Sequence, residues 1–183
     1  RMLKKKGVTL DVDLMPKKSS KESVTISAKL NADGAISGRL REYKTDYYAY
    51  VFRDKYASLS EEIYLEKKEK MYGLEIGTYK RNMENPLSGA VTEEYEFVHK
   101  GISDIIAGKI YFSPLLFFAA NQNPFKQDVR EYPIDFGQPW QDKYMISIPI
   151  PEGYTIESLP APVSLATGEN IGSFKYDAVV QNN

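Results

Sequence analysis

Val24-Thr25-Ile26-Ser27-Ala28-Lys29-Leu30-Asn31-Ala32-Asp33-Gly34 is the stretch on which the reading of the fold turns. Val24, Ile26, Ala28 and Leu30 alternate with Thr25, Ser27 and Lys29, a period of two that puts the apolar side chains on one face of a sheet. Asn31-Ala32-Asp33-Gly34 then supplies turn chemistry, with Gly34 free to take a positive φ. Residues 35–43 follow, with Ile36 and Leu40 apolar, so the stretch predicts a β-hairpin.

Towards the start of the chain, Val8, Leu10, Val12 and Leu14 alternate with Thr9, Asp11 and Asp13 and predict another strand. Lys4, Lys5 and Lys6 before it are too few for a polybasic arm and read as a solvated approach to that strand. Beyond the hairpin the period changes. Tyr48, Phe52 and Tyr56 stand four apart and Val51 and Leu59 widen the stripe, which is a helical face. Thr45 or Asp46 serves as its N-cap. Ser58 to Glu61 has capping-box spacing and predicts a second helix, running through Ile63 and Tyr64 to Met71 and ending at Gly73.

Strand signals then return. Residues 74–79 and 109–112 are short apolar runs, and residues 82–89 read as a loop. Val91, Glu93, Tyr95 and Phe97 alternate with Thr92, Glu94 and Glu96. Residues 121–140 are rich in Asn, Gln, Pro and Gly and form a long connection. Tyr144, Ile146, Ile148 and Ile150 alternate, and Pro149, which cannot donate to a ladder, marks this strand as an edge or bulged one. Phe174, Tyr176, Ala178 and Val180 predict a last strand. Short strands with turns between them favour a mostly β chain, an antiparallel β-sandwich with a short two-helix insertion over residues 45–72. Helices confined to one insertion argue against repeated βαβ units. The expectation is one domain over residues 1–183.

A chain of 183 residues is long enough to bury about two-thirds of its unfolded surface. A net charge of −1 leaves no electrostatic footprint for nucleic acid. The absence of cysteine excludes disulfides, thiolate catalysis and Cys-based zinc sites. The longest apolar run, Pro114-Leu115-Leu116-Phe117-Phe118-Ala119-Ala120, falls far short of the roughly 20 residues of a spanning helix, so no membrane span is expected. The abrupt Arg1-Met2 start suggests a piece of a longer chain.

No catalytic constellation stands out. The single histidine, His99, reads as a strand-end imidazole, and no serine sits in a G-x-S-x-G elbow. Asp11 with Asp13, and Glu94 with Glu96, share outer strand faces without a calcium-loop glycine beside them. The glycines fit neither a P-loop nor a dinucleotide fingerprint. The sequence therefore predicts no enzyme, no metal and no cofactor. The aromatic residues are more informative: 14 Tyr, 8 Phe and 1 Trp. Tyr43, Tyr47, Tyr48 and Tyr50 cluster at the first helix; Tyr132, Phe136, Trp140 and Tyr144 cluster along the long connection and its exit strand. They either cap the ends of the sandwich and staple the helices to it, or present rings to a sugar or a protein partner. Tyr132, Trp140 and Tyr144 are the candidate binding residues.

Residues 129–180 carry an ordered set of motifs. Tyr132-Pro133-Ile134-Asp135-Phe136-Gly137-Gln138-Pro139-Trp140 leads into Ile148-Pro149-Ile150-Pro151-Glu152-Gly153-Tyr154, then Leu159-Pro160-Ala161-Pro162, then Gly172-Ser173-Phe174-Lys175-Tyr176. This order resembles the domain of unknown function that follows the transglutaminase-like domain in large cell-envelope proteins of Gram-negative bacteria. The resemblance implies an all-β accessory domain in the periplasm or at the cell surface. Its implied partner is the upstream transglutaminase-like domain of the same chain or an envelope component. The Cys–His–Asp triad of that neighbour has no counterpart here, since the chain has no cysteine. In physical terms Pro151-Glu152-Gly153 is a turn, Leu159 to Pro162 a stiff extended link, and Phe174 and Tyr176 share a face and are expected to bury together. The leading expectation is a non-catalytic accessory or interaction domain; the alternative is a carbohydrate-binding β-sandwich module using its aromatic residues.

Overall fold

A computed structural model describes residues 2–3, 7, 9–83, 85, 88–120, 122–123, 126, 129, 131–168 and 171–181. Lys4, Lys5, Lys6, Val8, Pro86 and Asn121, on which some sequence expectations rest, lie outside the described residues. In chain order the elements are β1 (Met2–Leu3), β2 (Thr9–Leu10), β3 (Ser20–Leu30), β4 (Ile36–Lys44), α1 (Asp46–Tyr56), α2 (Glu61–Tyr72), β5 (Glu75–Met83), β6 (Val91–His99), β7 (Ser103–Ile106) and β8 (Lys109–Phe112). A 3₁₀ turn (Leu116–Phe118), β9 (Trp140–Ser147), β10 (Val163–Ala166) and β11 (Ser173–Tyr176) complete it. Among the described residues the protein is mostly β, with two helices inserted between β4 and β5 and no closed barrel.

The hairpin read from residues 24–43 is the centre of the main sheet, whose order is β5-β6-β4-β3-β9. Leu30 faces Ile36 across the turn, Asn31 N–H donates to Ala35 O at 2.9 Å, and Gly34 has φ +83°. The inner face carries Val24, Ile26, Ala28 and Leu30 from β3, Ile36 and Leu40 from β4, and Tyr95 and Phe97 from β6, all buried. Each large side chain removed from water here contributes about 1.5–3 kcal/mol. Two patches cover this face and give the fold its sandwich-like second layer. Phe117, Phe118, Ile102, Ile110 and Phe112, from the 3₁₀ turn and the β7–β8 hairpin, pack on the main cluster. Ala49 and Phe52 of α1 and Tyr64 of α2 form a second cluster with Val91. The outer face is solvated and charged, with Arg39–Glu96 at 2.9 Å and Arg41–Glu94 at 3.2 Å.

Several expectations need correcting. Among the described residues every strand pairing is antiparallel except one: β9 lies parallel to β3, Val24 opposite Tyr144 and Ile26 opposite Ile146. Alternation fixes which side chains share a face but carries no direction, so the sense of β9 was not readable. β9 is an edge strand as expected, but it ends at Ser147, before Pro149. The alternating residues 8–14 yield only Thr9–Leu10, paired with Met2–Leu3, and Leu14 is 84% exposed. Both edges of β3 are already taken, by β4 and β9, so this segment has no place beside it in the main sheet. β5 extends to Met83, into the expected loop. Among the described residues the last strand stops at Tyr176 and pairs only with β10; Phe174 is exposed while Tyr176 is half-buried with its hydroxyl shut off from solvent, so the two do not bury together as expected.

Candidate functional site

The inner face contains a surprise in its own alternation. Glu42 follows Leu40 on the buried side of β4, and Glu93 lies between Val91 and Tyr95 on the buried side of β6. The strand register sets them directly opposite each other, and both are buried. Two buried carboxylates side by side are tenable only with cations and donors around them. Lys44 Nζ supplies the first cation: it pairs with Glu42 Oε2, with Glu22 at 3.2 Å and with Glu93 at 3.4 Å. Lys68, projecting from α2, supplies the second, 3.1 Å from Glu42 and 3.4 Å from Glu93 and 4.5 Å over the Tyr95 ring. The phenols of Tyr64 and Tyr79 donate to Glu93 Oε1 at 2.6 and 2.8 Å, and Tyr95 donates to Glu42 Oε1 at 3.1 Å.

The electrostatics follow from this geometry. Burial alone would raise the pKa of Glu42, but the Lys44 and Lys68 ammonium groups outweigh it and hold the carboxyl at about 2. Burial pulls Lys44 down, and the Glu42, Glu93 and Glu22 carboxylates more than reverse this, so it stays protonated. At the rim, burial raises Glu22 against the pull of Lys44. Burial, then the adjacent glutamates, push the Tyr64, Tyr79 and Tyr95 phenols up, so they remain donors. Each oxygen of Glu42 and Glu93 has a partner, and the group is closed by Phe52 and Tyr64, edge to face at 5.6 Å. A general acid or base must reach a substrate proton; these carboxylates instead reach a lysine and a tyrosine of α2. The cluster ties the helical insertion to the sheet.

The structure places the three candidate binding residues apart in character. Tyr132 is 80% exposed. Trp140, the first residue of β9, is 49% exposed and meets Phe136 edge to face at 6.3 Å. Tyr144 is half-buried against Phe118 at 5.2 Å and belongs to the core face. It stands four residues from Trp140 along one strand, about 13 Å at the usual rise. The first helix's tyrosines also divide: Tyr48 is half-buried near Asp142, while Tyr47 and Tyr50 pair at 5.5 Å on the surface. His99 stacks on Phe117, with Nδ1 3.0 Å from Lys100 O. Among the described residues no group of three or more His, Asp or Glu side chains converges as a metal set would.

A recess of about 400 Å³ opens beside α1, floored by buried Ser20 and walled by Tyr47, Tyr50 and Gln138. Its frame is bonded in place. Ser20 Oγ accepts from Tyr47 N–H at 3.1 Å and donates to Gln138 Oε1 at 3.0 Å. Thr45 N–H donates to Lys21 O at 2.9 Å, and Lys21 N–H to Thr45 Oγ1 at 3.2 Å. Sequence reasoning singled out Tyr47 and Tyr50 but not this recess, because residues 16–18, 46–50 and 138 are distant in the chain. Glu42 and Glu93 were legible in principle: each is a carboxylate on the apolar parity of its strand.

A family model for a domain of unknown function (DUF3858) matches residues 108–183. The match begins in the turn of the β7–β8 hairpin and takes in β9, which is hydrogen-bonded to β3 in the unmatched part. No curated protein and no solved structure matches the chain.

Proposed function

We propose that the chain is a non-catalytic accessory domain that binds a protein neighbour, the upstream transglutaminase-like domain of a cell-envelope protein. The observation that carries this reading is the surface left uncovered. Apolar side chains stand exposed along residues 150–168 and 171–181: Ile171 is 79% and Leu165 61% exposed, with Ile156, Leu159, Phe174 and Val179 also open to solvent. Among the described elements β10 and β11 pack chiefly against each other. An apolar segment of this kind gains stability by burial against another surface. The buried ionisable groups, by contrast, are committed to one another and hold the fold together.

The choice of neighbour, and a periplasmic or cell-surface location, rest on the motif order of residues 132–176 and its resemblance to a domain that follows a transglutaminase-like domain. The test is calorimetric titration of the separately expressed transglutaminase-like domain into this chain. A specific complex is expected, weakened by Leu165→Asp and Phe174→Asp. No binding, or acyl-transfer or hydrolase turnover by this chain alone that a single carboxylate substitution removes, overturns the reading. Carbohydrate binding through Tyr132, Trp140 and Tyr144 draws less support, because Tyr144 is packed against Phe118.

A further inference from the structure

The recess beside α1 presents four chemistries within one small volume. Tyr47 and Tyr50 offer exposed rings tilted by 33°, a shallow aromatic platform. Lys17 and Lys18, both exposed, line it and bring two cations to its edge. Asp46 adds a carboxylate acceptor. Gln138 has its amide oxygen engaged by Ser20, which leaves its amide nitrogen to donate. The Ser20 hydroxyl, bonded to the Tyr47 backbone and to Gln138, fixes the floor of the recess and the Gln138 amide before anything binds.

We propose that this recess binds an acidic sugar, a hexuronic acid unit of a glycan. A pyranose offers a flat C–H face to the tyrosine rings. Its carboxylate meets Lys17 and Lys18, and its hydroxyls donate to Asp46 and accept from Gln138. An acidic peptide matches the lysines but brings no flat saturated ring to the tyrosines, and a neutral sugar leaves the lysines unused. The site uses residues other than those of the uncovered C-terminal segment, so it stands or falls independently of the docking reading.

The test is calorimetric titration of the intact chain with a galacturonic acid tetramer, with a maltose-type glucose tetramer and a glutamate tetrapeptide as the neutral and peptide arms. The galacturonate tetramer is expected to bind best and to weaken as salt is added. Tyr50→Ala is expected to loosen it about tenfold. The Lys17→Gln/Lys18→Gln pair is expected to erase the preference over the neutral sugar, with circular dichroism unchanged because all three side chains are exposed. Absence of binding at millimolar galacturonate overturns the proposal. Equal binding of the glutamate peptide, or wild-type affinity in a Tyr47→Ala/Tyr50→Ala variant of unchanged circular dichroism, does the same. The titration against the transglutaminase-like domain is read separately, so failure of either proposal is recognised without the other.

Discussion

Lys68 is the residue whose loss would be felt most sharply. It is buried, it is the helical insertion's own cation in the cluster, and it faces both Glu42 and Glu93. Lys68→Met keeps much of the stem but leaves two buried carboxylates sharing Lys44. Breaking a buried pair from one side costs about 3–5 kcal/mol, so the urea midpoint should fall steeply; a change within error would mean that water already reaches the cluster. Glu42 makes the pH dependence predictable. Its folded value of about 2 lies below the 4.5 of the free side chain, so the unfolded chain binds more protons between the two. The stabilisation is fully present above pH 4.5 and is lost as the pH falls towards 2, amounting to about 3 kcal/mol. Glu22, raised by burial, works in the opposite sense just above its free value. Urea unfolding from about pH 2 to about pH 7 should show the slope in the wild type and a flatter profile in Glu42→Gln. At the alkaline end Lys44, raised above 10.5, contributes stability that is present below 10.5 and is lost as the pH climbs beyond it.

At the scale of elements the two serines before α2 separate what was legible from what was not. Ser58 to Glu61 has the capping-box spacing, yet the helix starts at Glu61 and Ser60 is the cap, its Oγ accepting from Ile63 N–H at 3.3 Å. Ser58 instead sits in the turn that closes α1, where Leu59 N–H reaches Tyr56 O at 3.1 Å. Ser60→Ala should therefore cost about 1 kcal/mol and Ser58→Ala less than about 0.5 kcal/mol in thermal unfolding; the reverse order would restore the sequence-based start. Gly73, in the left-handed region at φ +68°, was correctly expected to stop the helix. Gly38 was silent in the sequence: a Cβ there would lie 2.4 Å from Ser27 O and 2.6 Å from Ala28 Cα. Neither is a flexible side-chain tip, so Gly38→Ala should destabilise by about 1–3 kcal/mol as the central hairpin is forced apart. The strands with apolar alternation on both partners, Val24–Leu30 against Ile36–Leu40, were readable because both faces of the argument lie close in the chain. The β3–β9 pairing joins residues more than a hundred apart, and no local pattern encodes it.

At the scale of the molecule the same contrast sets the pattern of stability. β3, β4 and β6 are each paired on both sides and carry the buried face, whereas β10 and β11 pair only with each other and leave Leu165 and Phe174 in water. A two-stranded hairpin without a covering layer is marginal on its own, and the ion pair of Lys109 with Glu157 that reaches towards this segment is exposed and adds little. The pair Phe174 and Tyr176 was read as buried because a strand's pattern announces a face that needs covering without saying which chain covers it. Backbone hydrogen exchange should therefore be slowest at the centre of the main sheet, near the global unfolding free energy, and fast throughout β10 and β11. β9 should exchange more slowly than β10, since its bonds are made to β3. Adding the transglutaminase-like domain should slow exchange in β10 and β11 and leave the central strands unchanged. Protection of β10 and β11 in the isolated chain equal to that of β3 would mean that the hairpin already has its second layer, and would remove the reason to look for a neighbour.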